Sequence, residues 1–296
     1  MAEGRIVKAL SGFYYVQADD GVYACKGRGV FRNQNITPLV GDFVTFDHTE
    51  DKEGYIQTIE PRKNELVRPP IANVTQVIIT TTVCQPKFSS LLLDRFLVEV
   101  EAKQIKPIIV VTKKDLATEK EIATMNDYIA DYQALGYEIY FIGMNDSIDE
   151  LDKIKQHLTD EVTVLMGQSG VGKSTLLNII HPSLNIETGE ISKSLGRGKH
   201  TTRHVELIAL NDGLVADTPG FSSLEFDTLE QEELSDCFVE MRELRPACKF
   251  RSCLHVKEPQ CAVKKALESS EVKQYRYDHY IQFLDEIKNR KPRYSS

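Results

Sequence analysis

The 296-residue chain is long enough for two or three domains, and its 41% apolar and 27% charged residues are typical of a soluble globular protein. A formal net charge of −8 excludes a uniformly basic nucleic-acid binder, and no apolar run approaches the ~20 residues of a membrane-spanning helix. The first ten residues lack a signal-peptide pattern, so we expect a cytoplasmic protein without membrane contact. The charge is uneven: residues 241–296 carry thirteen Lys or Arg and seven Asp or Glu, which indicates either an RNA-facing surface or a solvated helical one.

Residues 1 to 70 consist of short apolar-alternating segments separated by turn signals, with no helical period. This pattern predicts a small five-stranded β-barrel of OB or SH3-like type. Such barrels often bind single-stranded nucleic acid by stacking bases on aromatic side chains beside basic groups, although others are plain docking modules. The candidate residues for such a face are Phe13, Tyr14, Tyr15, Arg28, Phe31 and Arg32.

After a boundary at Pro69 and Pro70, a β-branched run, a helical period and a second apolar run predict a β-α-β unit of a parallel sheet. The second run ends in Thr112-Lys113-Lys114-Asp115, which resembles the [NT]-K-x-D guanine motif of GTPases. A carboxylate accepts two hydrogen bonds, and guanine offers the N1–H and N2–H₂ donors where adenine offers none. Lys113 would lay its aliphatic stem over the base. Taken alone, the motif could also be a strand that ends in solvated lysines.

A helix over residues 119–136, a strand and a further helix are predicted next. Residues 142–144 occupy the position where GTPases carry another guanine-contacting loop, but they show no recognisable motif. Residues 162–180 then read as strand, glycine loop and helix with the spacing G-x-x-x-x-G-K-[ST]. Glycines let backbone N–H groups surround phosphates, and the following helix directs its positive end at the same anions. Lys173 would contact the β- and γ-phosphates, and the Ser174 hydroxyl would bind Mg²⁺.

Two later segments are candidate switch elements. Glycines and basic residues surround Thr201 and Thr202, either of which could contact Mg²⁺ and the γ-phosphate. Asp217 is expected at a strand end, where it would hold Mg²⁺ through water, and the Gly220 amide would contact the γ-phosphate. Phe221 stands where Ras-like enzymes have their water-orienting Gln, so we expect slow intrinsic hydrolysis and a water positioned by another group.

The guanine motif precedes the phosphate loop, which reverses the order of ordinary GTPases and predicts a circularly permuted domain. Near the C-terminus, Cys248, Cys253, His255 and Cys261 fall within fourteen residues. Three thiolates and an imidazole are the ligands of a closed tetrahedral zinc site. We expect zinc to stabilise a small knuckle that could not otherwise bury a core.

After the predicted barrel come four motifs in permuted order: T-K-K-D, G-Q-S-G-V-G-K-S-T, G-R-G-K-H-T-T and D-T-P-G. They are followed by C-x4-C-x-H-x5-C. This combination resembles the RsgA family of circularly permuted GTPases over nearly the whole chain. The resemblance implies an α/β protein with an OB-fold barrel at residues 1–70, a GTPase domain at 71–225 and a zinc-binding helical domain at 226–296. It also implies GTP hydrolysis stimulated by the small (30S) ribosomal subunit, a role in late 30S maturation, and rRNA contacts from both flanking domains of a monomer. Thr112 stands where most GTPases have Asn.

Carried over by residue, the resemblance implies Mg²⁺ with GTP and one zinc ion on Cys248, Cys253, His255 and Cys261. It implies GTP or GDP binding by Thr112, Lys113, Lys114, Asp115, Gly167, Gln168, Ser169, Gly170, Val171, Gly172, Lys173, Ser174 and Thr175. Two other readings stay open: an RNA-binding protein in which the nucleotide is a structural ligand, and an ATPase, which the guanine motif opposes.

Overall fold

The computed structural model describes residues 1–29, 31, 36–143, 148–181, 205–217, 226 and 228–290, of which residues 148, 149 and 217 are described by their backbone alone. Across these ranges, every helix is too short or too polar to cross a bilayer. The chain folds into a barrel, an α/β sheet covered by helices, and a helical C-terminal part.

The N-terminal strands close into the predicted five-stranded barrel. They are β1 (Ala2–Leu10), β2 (Phe13–Ala18), β3 (Gly21–Gly27), β4 (Phe43–His48) and β5 (Glu53–Ile59). Their order is β1-β2-β3-β5-β4, and β4 pairs back onto β1 from Ala2↔Phe46 to Arg5↔Phe43. Alternate side chains such as Ile6, Val16 and Ile56 fill the interior.

One member of the predicted base-stacking face is misplaced. Phe31 is buried in the barrel core, so its ring is not available to a base. Arg32 lies outside the described residues. Phe13 and Tyr15 are half-buried, with Lys26 and Lys8 5.0 Å and 6.0 Å from their ring centres, and Arg28 is exposed. The expectation of a basic and aromatic face therefore rests on these residues and Tyr14, without Phe31.

A short hairpin leads from the barrel into an α/β sheet covered by helices. The elements of this part are β6 (Glu65–Val67), β7 (Pro70–Ala72), β8 (Gln76–Thr82), α1 (Ser90–Ala102), β9 (Lys106–Thr112), α2 (Glu119–Ala134), β10 (Glu138–Phe141), α3 (Ile148–Gln156), β11 (Val162–Met166), α4 (Lys173–Ile180), β12 (Glu206–Leu210) and β13 (Gly213–Asp217). The strand order of the sheet is β10-β9-β8-β11-β13-β12. The neighbouring pairs β10–β9, β9–β8, β8–β11 and β11–β13 are parallel, and β12 is antiparallel to β13. The strands that follow β8 lie on one side of the β8–β11 pair, and the strands that follow β11 lie on the other. Open α/β sheets bind ligands in the crevice at such a point, which here is at the carboxyl ends of β8 and β11.

Local sequence explains the bounds of these elements. Nearly every residue of β8, β9 and β11 is buried, which suits their continuous β-branched sequences. Ser89 accepts a hydrogen bond from the amide of Leu92 and begins α1, and Thr118 with Glu121 forms a capping box on α2. The sheet joins the barrel where Lys8 of β1 pairs with Glu206 of β12, with an ion pair of 2.8 Å.

The C-terminal helices bury an apolar core of their own, built around Phe238, Met241, Val263, Tyr280 and Phe283. Two of the expected zinc ligands, Cys253 and Cys261, are buried in the same cluster. The helices are α5 (Gln231–Leu234), α6 (Val239–Leu244), α7 (Ala262–Glu268) and α8 (Gln274–Lys288).

Candidate nucleotide site and metal centre

The glycine loop lies between β11 and α4, at the crevice between β8 and β11. Gly167, Gly170 and Gly172 have φ angles of 145°, 79° and 98°, which L-residues rarely adopt. At Gly167 a Cβ would also approach the carbonyl oxygen of Thr80 to 2.2 Å. The glycines are therefore required by the backbone path of the loop and by its contact with β8.

Lys173 begins α4 and directs its ammonium group back into the loop. Its Nζ donates hydrogen bonds to the carbonyl oxygens of Gly167 at 2.7 Å and Gln168 at 2.5 Å. The side chain is 6% exposed, and burial lowers the pKa of Lys173 to about 8. A bound phosphate would raise this pKa again, because an anion stabilises a buried ammonium better than carbonyl dipoles do.

The guanine motif is tied to this loop by Thr112, the residue that replaces the commoner Asn. The Thr112 hydroxyl lies 2.6 Å from the carbonyl oxygen of Val171 and 3.0 Å from that of Thr81. A hydroxyl has one proton to donate, and the shorter distance assigns it to Val171. Lys113 adds a second link, since its Nζ donates to the carbonyl oxygens of Gly170, at 2.7 Å, and Gln85. A threonine therefore makes the connection between the two motifs.

Asp115 lies in the short 3₁₀ turn Lys114–Leu116, and the loop after β10 packs against it. A Cβ on Gly143 would come within 2.9 Å of Asp115 Oδ1 and 3.1 Å of its backbone nitrogen. The amide of Lys114 donates to the carbonyl oxygen of Ile142 at 3.2 Å, and the Lys114 ammonium lies 5.4 Å from the centre of the Phe141 ring. The sequence places residues 142–144 where GTPases carry a guanine-contacting loop, but no motif there singled out Gly143.

The remaining predicted phosphate-loop residues lie together: Ser169 in the glycine loop, and Ser174 and Thr175 in the first turn of α4. Of the predicted switch residues, Thr201, Thr202 and Gly220 lie outside the described residues, as does Phe221. Asp217 is the last residue of β13, the strand that pairs with β11 at Val164↔Ala216. Its backbone is thus at the same sheet edge as the glycine loop.

The four predicted metal ligands converge: Cys248, Cys253, His255 and Cys261 have donor atoms within 4.8 Å of one another. Nδ1 of His255 lies 3.3 Å from the sulfur of Cys261 and 3.7 Å from that of Cys248. Burial raises the pKa of Cys253 to about 12, so a bound cation is needed to hold that thiol as a thiolate. Three sulfurs and one imidazole fit zinc in a closed, structural geometry.

Three further residues order the metal loop, and no sequence motif marks them. The Glu258 carboxylate accepts hydrogen bonds from the amides of Leu254 at 2.8 Å, Val256 at 2.8 Å and Lys257 at 2.9 Å. Burial opposes the charge of Glu258, but these amide bonds outweigh it and leave its pKa below the usual value.

The other two residues, Tyr277 and Tyr280, come from α8. Tyr277 donates its hydroxyl to the carbonyl oxygen of His255 at 2.7 Å, and Tyr280 donates to that of Leu254 at 2.8 Å. The backbone around His255 is therefore bound by side chains on both sides.

Comparison with known proteins identifies the family. A family model described as RsgA GTPase matches residues 59–227, and one described as RsgA N-terminal domain matches residues 3–56. The chain belongs to the RsgA GTPase family. It is accordingly a GTP hydrolase, with the permuted order of motifs that its sequence predicts.

The similarity to family members extends over the full length. The chain is 57% identical over 299 residues to the small ribosomal subunit biogenesis GTPase RsgA of Bacillus subtilis, covering 99% of this chain and 100% of that one. It is 56% identical over 294 residues to RsgA 2 of Oceanobacillus iheyensis, with the same coverage. Two crystal structures are also similar: the circularly permuted GTPase YloQ (52% identity, TM-score 0.84, 99% and 97% of the chains) and YjeQ from Thermotoga maritima (34%, 0.85, 98% and 99%).

Proposed function

We propose that this chain is a GTPase that binds the small (30S) ribosomal subunit late in its maturation and hydrolyses GTP to GDP and phosphate to drive its own release. The observation that carries the nucleotide part is the bond from Thr112 to Val171, because it joins a guanine motif to a phosphate loop at one crevice. The ribosomal part is supported by full-length relatives named small ribosomal subunit biogenesis GTPases.

In this proposal the side chain of Asp115 binds the guanine edge, and the loop from Gly167 to Lys173 binds the phosphates. The family implies Mg²⁺ with GTP. The hydroxyl of Ser174, next to Lys173 in the first turn of α4, would be a ligand of this Mg²⁺. Asp217, Thr201 or Thr202, and Gly220 would complete the response to the γ-phosphate. The domain bounds proposed for this architecture are residues 1–70, 71–225 and 226–296.

Zinc on Cys248, Cys253, His255 and Cys261 would have a structural role. The barrel and the basic C-terminal part would contact rRNA, and the protein would act in the cytoplasm as a monomer. Release would follow from relaxation of the switch segments after hydrolysis, which weakens the attachment to the 30S particle.

The decisive experiment measures single-turnover GTP hydrolysis by the full chain, alone and with purified 30S or 50S subunits. Slow hydrolysis that only 30S subunits accelerate is expected, and equal rates in all three conditions would refute the ribosomal assignment. ATP serves as the competing substrate, since turnover of ATP at the rate of GTP would refute the guanine assignment.

Two variants test the nucleotide switch. Asp115→Asn removes the guanine carboxylate and Ser174→Ala removes the proposed Mg²⁺ ligand. Both are expected to abolish the difference in 30S co-sedimentation between GTP-analogue and GDP conditions. Unchanged, nucleotide-dependent co-sedimentation in both variants would contradict these roles. Co-sedimentation of the native chain that is equal with every nucleotide would instead favour an RNA-binding module.

A further inference from the structure

Asp94 is fully buried where α1 meets the C-terminal helix α8. Its carboxylate accepts hydrogen bonds from the guanidinium of Arg276, from His279 Nδ1 at 2.6 Å and from the Tyr132 hydroxyl at 2.6 Å. Arg276 and His279 belong to α8, whereas Tyr132 belongs to α2. One carboxylate of the GTPase domain therefore organises donors from both sides of the interface.

Arg276 is itself 1% exposed and has a second acidic partner. Its Nε and Nη2 donate to the two oxygens of Glu240, at 2.7 Å and 2.9 Å, in a bidentate pair. The guanidinium carbon lies 4.7 Å from the ring centre of Phe238 and 5.4 Å from that of Tyr132. Buried ion pairs stabilise a fold only weakly compared with apolar packing, but they are satisfied in one arrangement alone. The interface therefore has one fully bonded register.

The two helices α1 and α8 extend from this interface to different sites. On α1, Leu92, Leu93 and Phe96 line one narrow crevice together with Gln168 and Val171 of the glycine loop. On α8, Tyr277 and Tyr280 bind the carbonyl oxygens next to the metal ligand His255. Asp94 thus lies on the helix that lines the crevice beside the glycine loop, and it is bonded to the helix that holds the metal loop.

We propose that Asp94 is a positioning residue that couples the nucleotide site to the zinc loop through Arg276 and α8. Nucleotide that orders the glycine loop fixes α1, α1 fixes α8 through the buried carboxylate, and α8 fixes the backbone around His255. Coupling between binding free energies is reciprocal, so a nucleotide that raises the affinity for zinc must itself bind more tightly to the zinc-loaded protein. The inference rests on the nucleotide site proposed above and adds a route that does not pass through the switch segments.

The test measures loss of zinc from the full-length, zinc-loaded protein to a chromogenic chelator, with and without saturating GDP or a non-hydrolysable GTP analogue. In the native chain we expect nucleotide to slow the loss by about fivefold or more. In Asp94→Asn this dependence should disappear, since an amide cannot accept the three hydrogen bonds of the carboxylate. Arg276 keeps Glu240 in that variant, so its charge stays paired.

The matched control is Glu286→Gln. Glu286 pairs at 2.5 Å with Arg95, the neighbour of Asp94 on α1, so this ion pair also joins α1 to α8, but Glu286 is partly exposed. The control should retain the nucleotide dependence. An equal loss of dependence in Glu286→Gln, or an undiminished dependence in Asp94→Asn, would overturn the assignment to Asp94.

The native chain provides a test that does not depend on the folding of a variant. Hydrogen exchange of the amides of α8 should slow when GDP binds, and unchanged exchange together with unchanged zinc loss would refute the coupling. Nucleotide affinity is titrated in parallel. Binding without an effect on zinc refutes only the coupling, whereas no binding of guanine nucleotide refutes the proposed nucleotide site and the coupling with it.

Discussion

The hydroxyl of Thr112 donates to the carbonyl oxygen of Val171 at 2.6 Å and so joins the end of β9 to the glycine loop. Both residues are buried, at 7% and 2% exposed, so water cannot replace the donor if it is lost. A buried carbonyl without a partner costs about 1–3 kcal/mol. This bond is the reason to expect that guanine recognition and phosphate binding depend on each other.

Thr112→Val keeps the shape of the side chain and removes the donor. We expect it to weaken GDP binding by about tenfold, which corresponds to ~1.4 kcal/mol, because the loop loses its tie to the guanine motif. Titration with a fluorescent GDP derivative measures this. Thr112→Ser retains the hydroxyl and should bind within about threefold of the native chain. Equal affinities for the Val and Ser variants would contradict a role for the bond.

Gly143 provides a second test of the guanine site. A methyl group added there would approach Asp115 Oδ1 to 2.9 Å and displace the carboxylate. Gly143→Ala should therefore reduce the preference for GDP over ADP by about tenfold, through weaker GDP binding. The control is Gly29→Ala in the barrel, where a Cβ would meet no atom within 4 Å. A Gly143→Ala protein with native discrimination would show that Asp115 does not need this space.

The glycine loop could be predicted from sequence because its conformation is local. The spacing of Gly167, Gly170, Gly172 and Lys173 is set by one turn between a strand and a helix, so neighbouring residues contain all the information. The metal ligands are likewise confined to fourteen residues, and they do converge. The barrel was predictable for a related reason, since alternation and turn spacing are properties of short segments.

The features that the sequence did not predict depend on strand register and on contacts between residues far apart in the chain. Phe31 lies between β3 and β4, outside the barrel strands, and nothing in its local sequence shows that this segment directs the ring into the core. Asp94 and Arg276 are 182 residues apart, and nothing in either local sequence marks the other as its partner. Gly143 contacts Asp115 because β10 pairs with β9, a strand pairing that periodicity does not reveal.

The buried ammonium group of Lys173 is expected to make nucleotide binding depend on pH. Burial lowers its pKa to about 8, and a bound phosphate raises it again by favouring the charged form. Below about pH 8 the ammonium is already charged, so affinity should be flat; above it, binding must take up a proton and affinity should fall by up to about tenfold per pH unit. Calorimetric titration with GDP in buffers of different ionisation enthalpy measures the proton uptake.

Lys173→Arg is the control for that titration, because a guanidinium stays protonated throughout this range. Whatever affinity this variant retains should lose the component of the pH dependence that Lys173 causes. Proton uptake at about pH 8 that is the same in the native chain and in Lys173→Arg would assign the titration to another group.

Glu258 is expected to control how firmly the C-terminal loop retains zinc. Its carboxylate accepts three amide hydrogen bonds from residues on either side of His255, and their loss would free the backbone that presents the imidazole. Groups that orient metal ligands typically contribute 10–100-fold to metal affinity, so Glu258→Ala should weaken zinc binding by roughly that factor. Glu258→Gln keeps one carbonyl oxygen and should fall between Ala and the native chain, while Glu268→Gln, at an exposed position of α7, should match the native chain. Competition with a chelator of known affinity gives the order of the four proteins. A native-like Glu258→Ala would mean that Tyr277 and Tyr280 suffice to order the loop.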